Sequence, residues 1–206
     1  ASMAAAVGSH TDLILGNIVG SNISNIGMVI GVCAVVSPLV VKRTTTRKEI
    51  PIMIGVSLLL IAISVDGEIS QYDGVMLVVG LIAFTAYTLS RAKKERNEEA
   101  EDSATTKTSI PRAVALIVIG AALLYFGGFL TVENAISIAE NIGISETVIG
   151  ITIIAIGTSL PELVTSVIAI RKGHMDIGIG TIVGSNIYNI LMILGISSVI
   201  TGIASI

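Results

Sequence analysis

Residues 12–31, DLILGNIVGSNISNIGMVIG, occur a second time as residues 176–195, DIGIGTIVGSNIYNILMILG. The two copies lie 164 positions apart (176 − 12) and are identical at 12 of their 20 positions. The chain therefore contains an internal duplication. Both copies keep Asn, Ser and Gly within apolar sequence, which is typical of membrane proteins whose two repeats face a common centre. The duplication predicts a protein that moves small solutes across a membrane.

The composition is that of a membrane protein. Hydrophobic residues make up 52% of the chain, charged residues 13%, and the mean hydropathy is +0.90. About 20 apolar residues suffice to cross the hydrocarbon core of a bilayer. Six candidate spans follow, at residues 13–41, 50–65, 75–89, 113–130, 148–170 and 177–199. The second and third are short and need flanking polar side chains that reach the interface. We expect an all-α polytopic membrane protein.

The placement of charge predicts the topology. All 12 Lys and Arg residues fall in three groups, within residues 42–48, 91–112 and 171–172. The intervening connections, 66–74 and 133–146, contain acids and no base, so the basic groups are predicted to be cytoplasmic. Five spans separate the starts of the two copies, and five is odd. The copies must enter the membrane from opposite faces, which is the symmetry that allows one site to open alternately to either side.

One hydrophilic stretch, residues 92–109, separates the two halves with the sequence AKKERNEEAEDSATTKTS. Its mixed charges, Ser and Thr predict a mobile, solvated linker rather than a regulatory ion or partner site. Its spacing does not match a calcium-binding loop. The chain therefore divides into a first half (1–91), a cytoplasmic linker (92–110) and a second half (111–206).

Glu162 is the one acidic residue in the middle of a predicted span. An ionised carboxylate at that depth costs about 2.5–3.5 kcal/mol on insertion scales, so a partner or a function is expected. No Lys, Arg or His lies within a predicted span to pair with it. A bound cation is the natural counter-charge. A protonated Glu162 and a purely structural hydrogen bond are the alternatives.

Oxygen-bearing side chains surround Glu162 at helical spacing. They are Thr158, Ser159, Thr165 and Ser166. Pro161 lacks an N–H and crowds the carbonyl one turn earlier, so the helix should break near Gly157 and Thr158. Irregular backbone at this depth is tolerated where it lines a cavity, which favours a site over a simple kink.

The duplicated segment supplies a second set of polar side chains at intervals of four. The triplets are Asn17, Ser21 and Asn25 in the first copy and Thr181, Ser185 and Asn189 in the second. Carboxylate, hydroxyl and amide oxygens suit Na⁺, K⁺, Ca²⁺ or Mg²⁺ rather than soft metals. For Asn22 and Asn186, helix bridging and ion contact both remain open. Close helix packing is expected at four small residues, Gly16, Gly20, Gly180 and Gly184.

The motifs GTSLPELVTS at 157–166 and DIGIGTIVGSNIYN at 176–189 resemble the second alpha-repeat of the cation/calcium antiporter superfamily, notably prokaryotic sodium/calcium exchangers. DLILGNIVGSNISN at 12–25 resembles the end of the first alpha-repeat. The resemblance implies an inverted-repeat antiporter of two five-helix halves that exchanges Ca²⁺ for Na⁺ by alternating access. It implies no enzyme activity, no cofactor besides the transported ions, and a prokaryotic inner membrane. The implied metal ligands are Thr158, Ser159, Glu162, Ser185, Asn189, Ser21 and Asn25.

The chain departs from the family pattern at two points. Asn189 stands where some relatives have aspartate, which lowers the negative charge of the site. A first copy of GTSLPE is absent, so we expect a fragment that lacks the first helix, half of the second and the last two. The alternative functions are H⁺/Ca²⁺ exchange, K⁺-dependent Na⁺/Ca²⁺ exchange, a passive cation channel or a non-transporting scaffold. The expected partners are the ions and the lipid bilayer, with no nucleic acid and no assigned protein.

Overall fold

The computed structural model describes residues 11–102, 110–143, 152, 155–201 and 203–205, most of which are helical. The described helices, in chain order, are α1 (Thr11–Ser24), α2 (Ile30–Val36), α3 (Ile50–Ile63), α4 (Gln71–Asp102), α5 (Ile110–Asn141), α6 (Ala155–Thr158), α7 (Leu160–Arg171), α8 (Met175–Tyr188) and α9 (Gly195–Thr201). Long apolar runs form helices in this chain because a helix pairs its own backbone N–H and C=O groups, and lipid offers these groups no hydrogen-bond partners. The predicted all-α class is therefore confirmed.

Two π-helical segments occupy equivalent positions in the duplicated sequence. Asn25–Val29 joins α1 to α2, and Asn189–Leu194 joins α8 to α9. The residues that border each segment keep right-handed helical dihedrals, so each copy is one continuous helix with a π-helical insertion. Both segments begin at the Asn that ends the repeated polar triplet. Insertions of this kind inside α-helices are frequent at functional sites.

Four described helices are long and apolar enough to cross a membrane. They are Leu15–Val36, Gln71–Lys94, Pro111–Thr131 and Met175–Ile200. The third predicted span is longer than expected, whereas the second coincides with α3, whose 14 residues fall short of a complete crossing. The predicted span at 148–170 falls partly outside the described residues, and its described part consists mainly of α6 and α7.

The hydrophilic stretch between the halves begins as helix rather than as an irregular linker. Helix α4 continues through Asp102, and α5 begins at Ile110. The segment 92–102 is rich in Ala, Lys, Arg and Glu, which have high helix propensity and outweigh its low hydrophobicity. The rest of the predicted linker, residues 103–109, lies outside the described residues.

The two copies run antiparallel to each other, as the inverted repeat requires. The Lys42 Nζ and Asp176 Oδ2 atoms are 2.7 Å apart, which joins the segment after the first copy to the beginning of the second. Arg91 Nη1 and Glu49 Oε1 are 3.1 Å apart. Both ion pairs connect segments that the charge pattern assigns to one membrane face, so the contacts agree with the predicted topology.

A two-stranded antiparallel sheet, which the sequence did not predict, joins two other connections. Strand β1 (Glu68–Ser70) follows α3, and strand β2 (Ile203–Ser205) follows α9. Their register pairs Glu68 with Ser205 and Ser70 with Ile203. The segments before α4 and after α9 were predicted to lie at the same face, and the sheet brings them together there.

The closest helix packing occurs at glycines other than those predicted. A Cβ atom added at Gly16, Gly180 or Gly184 would meet nothing within 4 Å among the described residues, so the prediction of close packing there is wrong. At Gly178 it would lie 2.7 Å from Ile170 Cγ1, and at Gly74 it would lie 2.9 Å from Ser198 Cβ. Spacing in the sequence identified small residues but not the helix faces that meet.

Candidate functional site

The centre of the site is the interruption between α6 and α7. Helix α6 ends at Thr158, Ser159 forms a turn, and α7 begins at Leu160 with Pro161 in its first turn. The Ser159 amide donates to the Ile156 carbonyl at 3.0 Å, so the turn is tighter than an α-helix. The break that Pro161 predicted is therefore confirmed, and it leaves Ser159 buried.

A cavity of about 360 Å³ adjoins this break. It is lined by Asn17, Ile18, Ser21, Asn25, Thr158, Ser159, Glu162, Asn189, Met192 and Ile193. Six of the seven ligands implied by the family resemblance line it, and Ser185, the seventh, contacts Glu162. The cavity lies between the two copies and the α6–α7 region, since its polar residues come from α1, the two π-helical segments and the α6–α7 region.

Glu162 presents one bonded and one unbonded carboxylate oxygen. The Ser185 hydroxyl donates to Glu162 Oε1 at 2.8 Å. Glu162 Oε2 is buried and has no hydrogen-bond partner among the described residues. Neither ion pair found among the described residues involves this carboxylate. A buried acceptor without a partner is costly, and a cation in the adjoining cavity would satisfy it.

Asn25 presents a second unbonded oxygen. Its Nδ2 atom donates to Asn186 Oδ1 at 2.9 Å, whereas its own Oδ1 is buried without a partner in the part of the chain that the structure describes. The repeat-related contact joins Asn189 Nδ2 to Asn22 Oδ1, also at 2.9 Å. Adding 164 to residues 25 and 22 gives 189 and 186, so the two contacts are equivalent under the duplication. Of the two roles left open for Asn22 and Asn186, the structure shows helix bridging.

The hydroxyl groups on the α6–α7 side bond toward backbone or toward α1. Thr158 Oγ1 donates to the Ala155 carbonyl at 3.0 Å and to Asn17 Oδ1 at 3.3 Å. Ser159 Oγ contacts the Ser21 carbonyl at 3.3 Å. Each hydroxyl uses its proton in these contacts and keeps oxygen lone pairs for another ligand. Asn17 was recognised in the polar triplet but not as a ligand, although it lines the cavity.

Three other polar residues at helical spacing do not line the cavity. Thr165 and Thr181 donate to carbonyls of their own helices, at 2.8 Å to Pro161 and 2.7 Å to Ile177. Ser166 is buried and donates to the Gly178 carbonyl at 3.0 Å, which joins α7 to α8. These side chains satisfy backbone carbonyls within or between helices, and they are not part of the oxygen-rich stripe that the spacing predicted.

The ligand chemistry of the cavity suits hard cations. No group of three or more His, Cys, Asp or Glu side chains occurs in the part of the chain that the structure describes. One carboxylate with hydroxyl and amide oxygens is a set typical of Na⁺ or Ca²⁺ and unlike the Cys and His sites of zinc. A larger cavity of about 610 Å³ between α1 and α3 is lined mainly by aliphatic side chains and contains no carboxylate.

A family model, curated relatives and solved structures all show similarity between this chain and cation exchangers or related membrane proteins. The family model described as "Sodium/calcium exchanger protein" matches residues 1–90 and 112–206. The inner membrane protein YrbG of Escherichia coli K12 is 36% identical over 208 residues, which cover 97% of this chain and 64% of YrbG. Sodium/potassium/calcium exchanger 2 of Gallus gallus is 51% identical over 65 residues, or 32% of this chain and 10% of that protein. A structure of the sodium-calcium exchanger NCX_Mj superimposes with a TM-score of 0.78 at 30% identity, over 98% of this chain and 64% of that one. The chain thus spans about 64% of the length of YrbG and of NCX_Mj.

Proposed function

Because this chain belongs to the sodium/calcium exchanger family, we propose that the complete protein exchanges Ca²⁺ for Na⁺ across the membrane by alternating access. It is a multi-pass membrane protein with apolar helices of spanning length. The similarity to YrbG, an inner membrane protein, supports a prokaryotic cell membrane as the location of this protein.

The observation that carries this proposal is the buried, unpartnered Oε2 atom of Glu162 beside a polar cavity. Asn25 Oδ1, from the opposite copy, is also buried without a partner. A cation can satisfy both acceptors, and none of the described residues that line the cavity is Lys or Arg. A transported cation provides the missing charge.

The proposed mechanism is competition between ions for shared oxygens. The ligands we assign are Glu162, Thr158, Ser159, Ser185, Asn189, Ser21 and Asn25. Ca²⁺ takes six to eight oxygen ligands in flexible geometry, so one ion would engage several of them. Na⁺ ions carry half the charge and would occupy overlapping parts of the set. An occupied site neutralises Glu162 and would permit the switch between outward-open and inward-open states, whereas the empty site would not.

The inverted repeat supports alternating access rather than a passive pore. Both copies contribute side chains to the cavity, and the two copies lie antiparallel. Each copy can therefore adopt the conformation of the other, which exchanges the open and closed faces around a fixed site.

K⁺-dependent exchange is a second candidate. It is favoured by the 51% identity over 65 residues with the sodium/potassium/calcium exchanger 2 of Gallus gallus. Omitting K⁺ from the transport assay would distinguish the two forms of exchange.

The test is radioactive calcium uptake into proteoliposomes that contain the protein expressed from its complete gene. We expect uptake that requires internal Na⁺ and that Glu162→Gln abolishes, because the substitution removes the charge that balances the ion. Thr181→Val is the matched control, since Thr181 bonds only to its own helix and does not line the cavity.

Other outcomes would assign other functions. Uptake driven only by an acidic interior would indicate H⁺/Ca²⁺ exchange. Uptake that persists without any counter-ion would indicate a channel. Uptake that is equal in the wild type and in Glu162→Gln would rule out the proposed site.

A further inference from the structure

Two asparagines outside the ion cavity bond to two of the asparagines that line it, Asn25 and Asn189. Asn186 accepts from Asn25, and Asn22 accepts from Asn189. Neither Asn22 nor Asn186 lines the cavity. We propose that Asn22 and Asn186 are positioning residues that fix the amide orientation of Asn25 and Asn189, so that both carbonyl oxygens point toward the ion. This inference rests on the proposed function and adds residues to its machinery.

The need for positioning follows from the chemistry of the amide group. An asparagine side chain has a donor on one side and an acceptor on the other, and the two differ little in shape. If the Asn25 amide were rotated by half a turn, its NH₂ group would take the place of the Oδ1 atom and would repel a cation there. A ligand asparagine therefore requires a neighbour that accepts from its nitrogen.

Asn186 meets this requirement for Asn25. Its own Nδ2 atom lies 3.6 Å from Met53 Sδ, and a thioether can only accept a hydrogen bond. The Oδ1 atom of Asn186 therefore faces Asn25 and receives the Asn25 N–H at 2.9 Å. Both asparagines are almost fully buried, and Asn25 Oδ1 is the atom left without a partner.

Asn22 meets the same requirement for Asn189. Its Nδ2 atom donates to the Asn186 backbone carbonyl at 3.2 Å, and a carbonyl cannot donate. Asn22 Oδ1 therefore faces Asn189 and receives its N–H at 2.9 Å, while Ser21 Oγ lies 3.3 Å from the same nitrogen. In each pair of asparagines, a group that can only accept a hydrogen bond fixes the orientation of the first amide. The first amide then fixes the orientation of the second.

The experiment is a double-mutant cycle read by calorimetric titration of Ca²⁺ into the purified protein expressed from its complete gene. Asn186→Leu removes the acceptor at similar volume, and Asn25→Ala removes the amide that this acceptor is proposed to orient. We expect Asn186→Leu alone to weaken Ca²⁺ binding about tenfold, the effect of losing one hydrogen bond. In the Asn25→Ala background it should have no further effect, because no amide remains to be oriented.

A purely structural role predicts a different result. If Asn186→Leu weakens binding equally in both backgrounds, the residue acts through packing and the proposal is overturned. Unchanged binding in the single variant also overturns it. Thr181→Val, on the same helix, controls for loss of a polar group and should bind Ca²⁺ as the wild type does.

The repeat-related pair provides an independent cycle, with Asn22→Leu and Asn189→Ala, should Asn186→Leu not fold. If neither leucine variant folds, the two asparagines hold the fold together and the positioning proposal is rejected. Glu162→Gln separates this proposal from the proposed function. Ca²⁺ binding that survives Glu162→Gln refutes the ion site itself. If binding depends on Glu162 but the double-mutant cycle shows no coupling between the two asparagines, only the positioning proposal is refuted.

Discussion

Glu162 supplies the only negative charge among the residues that line the polar cavity, and neutral oxygens surround it. Ligand charge strongly affects Ca²⁺ affinity, so the orientation of each neutral dipole matters more here than in a site with several carboxylates. The Ser185 hydroxyl donates to one carboxylate oxygen, and the other oxygen has no partner among the described residues and is available to the proposed ion.

Ser185→Ala should weaken Ca²⁺ binding by about tenfold or more. The substitution removes a hydrogen bond to a charged group, a contact worth about 1.5–3 kcal/mol, and it also removes a proposed ligand oxygen. Calorimetric titration against Thr181→Val measures the effect. Equal affinities in the two variants would mean that Ser185 contributes neither orientation nor ligation.

At the scale of elements, the break between α6 and α7 and the two π-helical segments place polar groups from different helices around one cavity. Helix packing then depends on a few glycines rather than on the whole set of small residues. Gly74 in α4 faces α9 so closely that an added Cβ would lie 2.9 Å from the Val199 backbone nitrogen. Backbone cannot move aside as a flexible side chain can.

Gly74→Ala should therefore destabilise the packing of α4 against α9 by about 1–3 kcal/mol. We expect the apparent melting temperature of the detergent-purified protein to fall by several degrees. Gly120→Ala in α5 is the matched control, because an added Cβ there meets nothing within 4 Å and alanine favours helix. Equal melting temperatures for the two variants would contradict the close packing at Gly74.

At the scale of the whole molecule, the contacts between connecting segments lie at two ends of the helices. One end carries the Lys42–Asp176 and Arg91–Glu49 ion pairs, and the other carries the β1–β2 sheet. The positive-inside rule assigns the ion-paired end to the cytoplasm. This assignment follows from charge, and labelling can test it.

A cysteine placed in each end should react with a membrane-impermeant maleimide from opposite sides. Glu68→Cys should be labelled in intact cells, whereas Lys172→Cys should be labelled only after permeabilisation. Both positions are exposed, and the native Cys33 is buried, so background labelling should be low. Labelling of both positions in intact cells would contradict the inverted topology.

Features that depend on local chemistry and counting could be predicted from the sequence. The duplication, the apolar helices, the odd number of spans and the break before Pro161 all follow from residue order and backbone chemistry. Glu162 was identified because a charge at membrane depth is rare. Most of the cavity lining could be predicted through the same motifs, although Asn17 was not assigned as a ligand and the roles of the proposed ligands stay predictions.

The sequence by itself determined an all-α, inverted-repeat membrane protein with a carboxylate at its centre, because hydropathy, charge placement and repetition act along the chain. Only the tertiary structure decided which amide faces which, which glycines lie against a neighbour, and that β1 pairs with β2. Asn25 and Asn186 are 161 positions apart, and Asn22 and Asn189 are 167 apart. Contacts over such separations depend on how the helices pack, and residue spacing within one helix carries no information about the partner that another helix supplies.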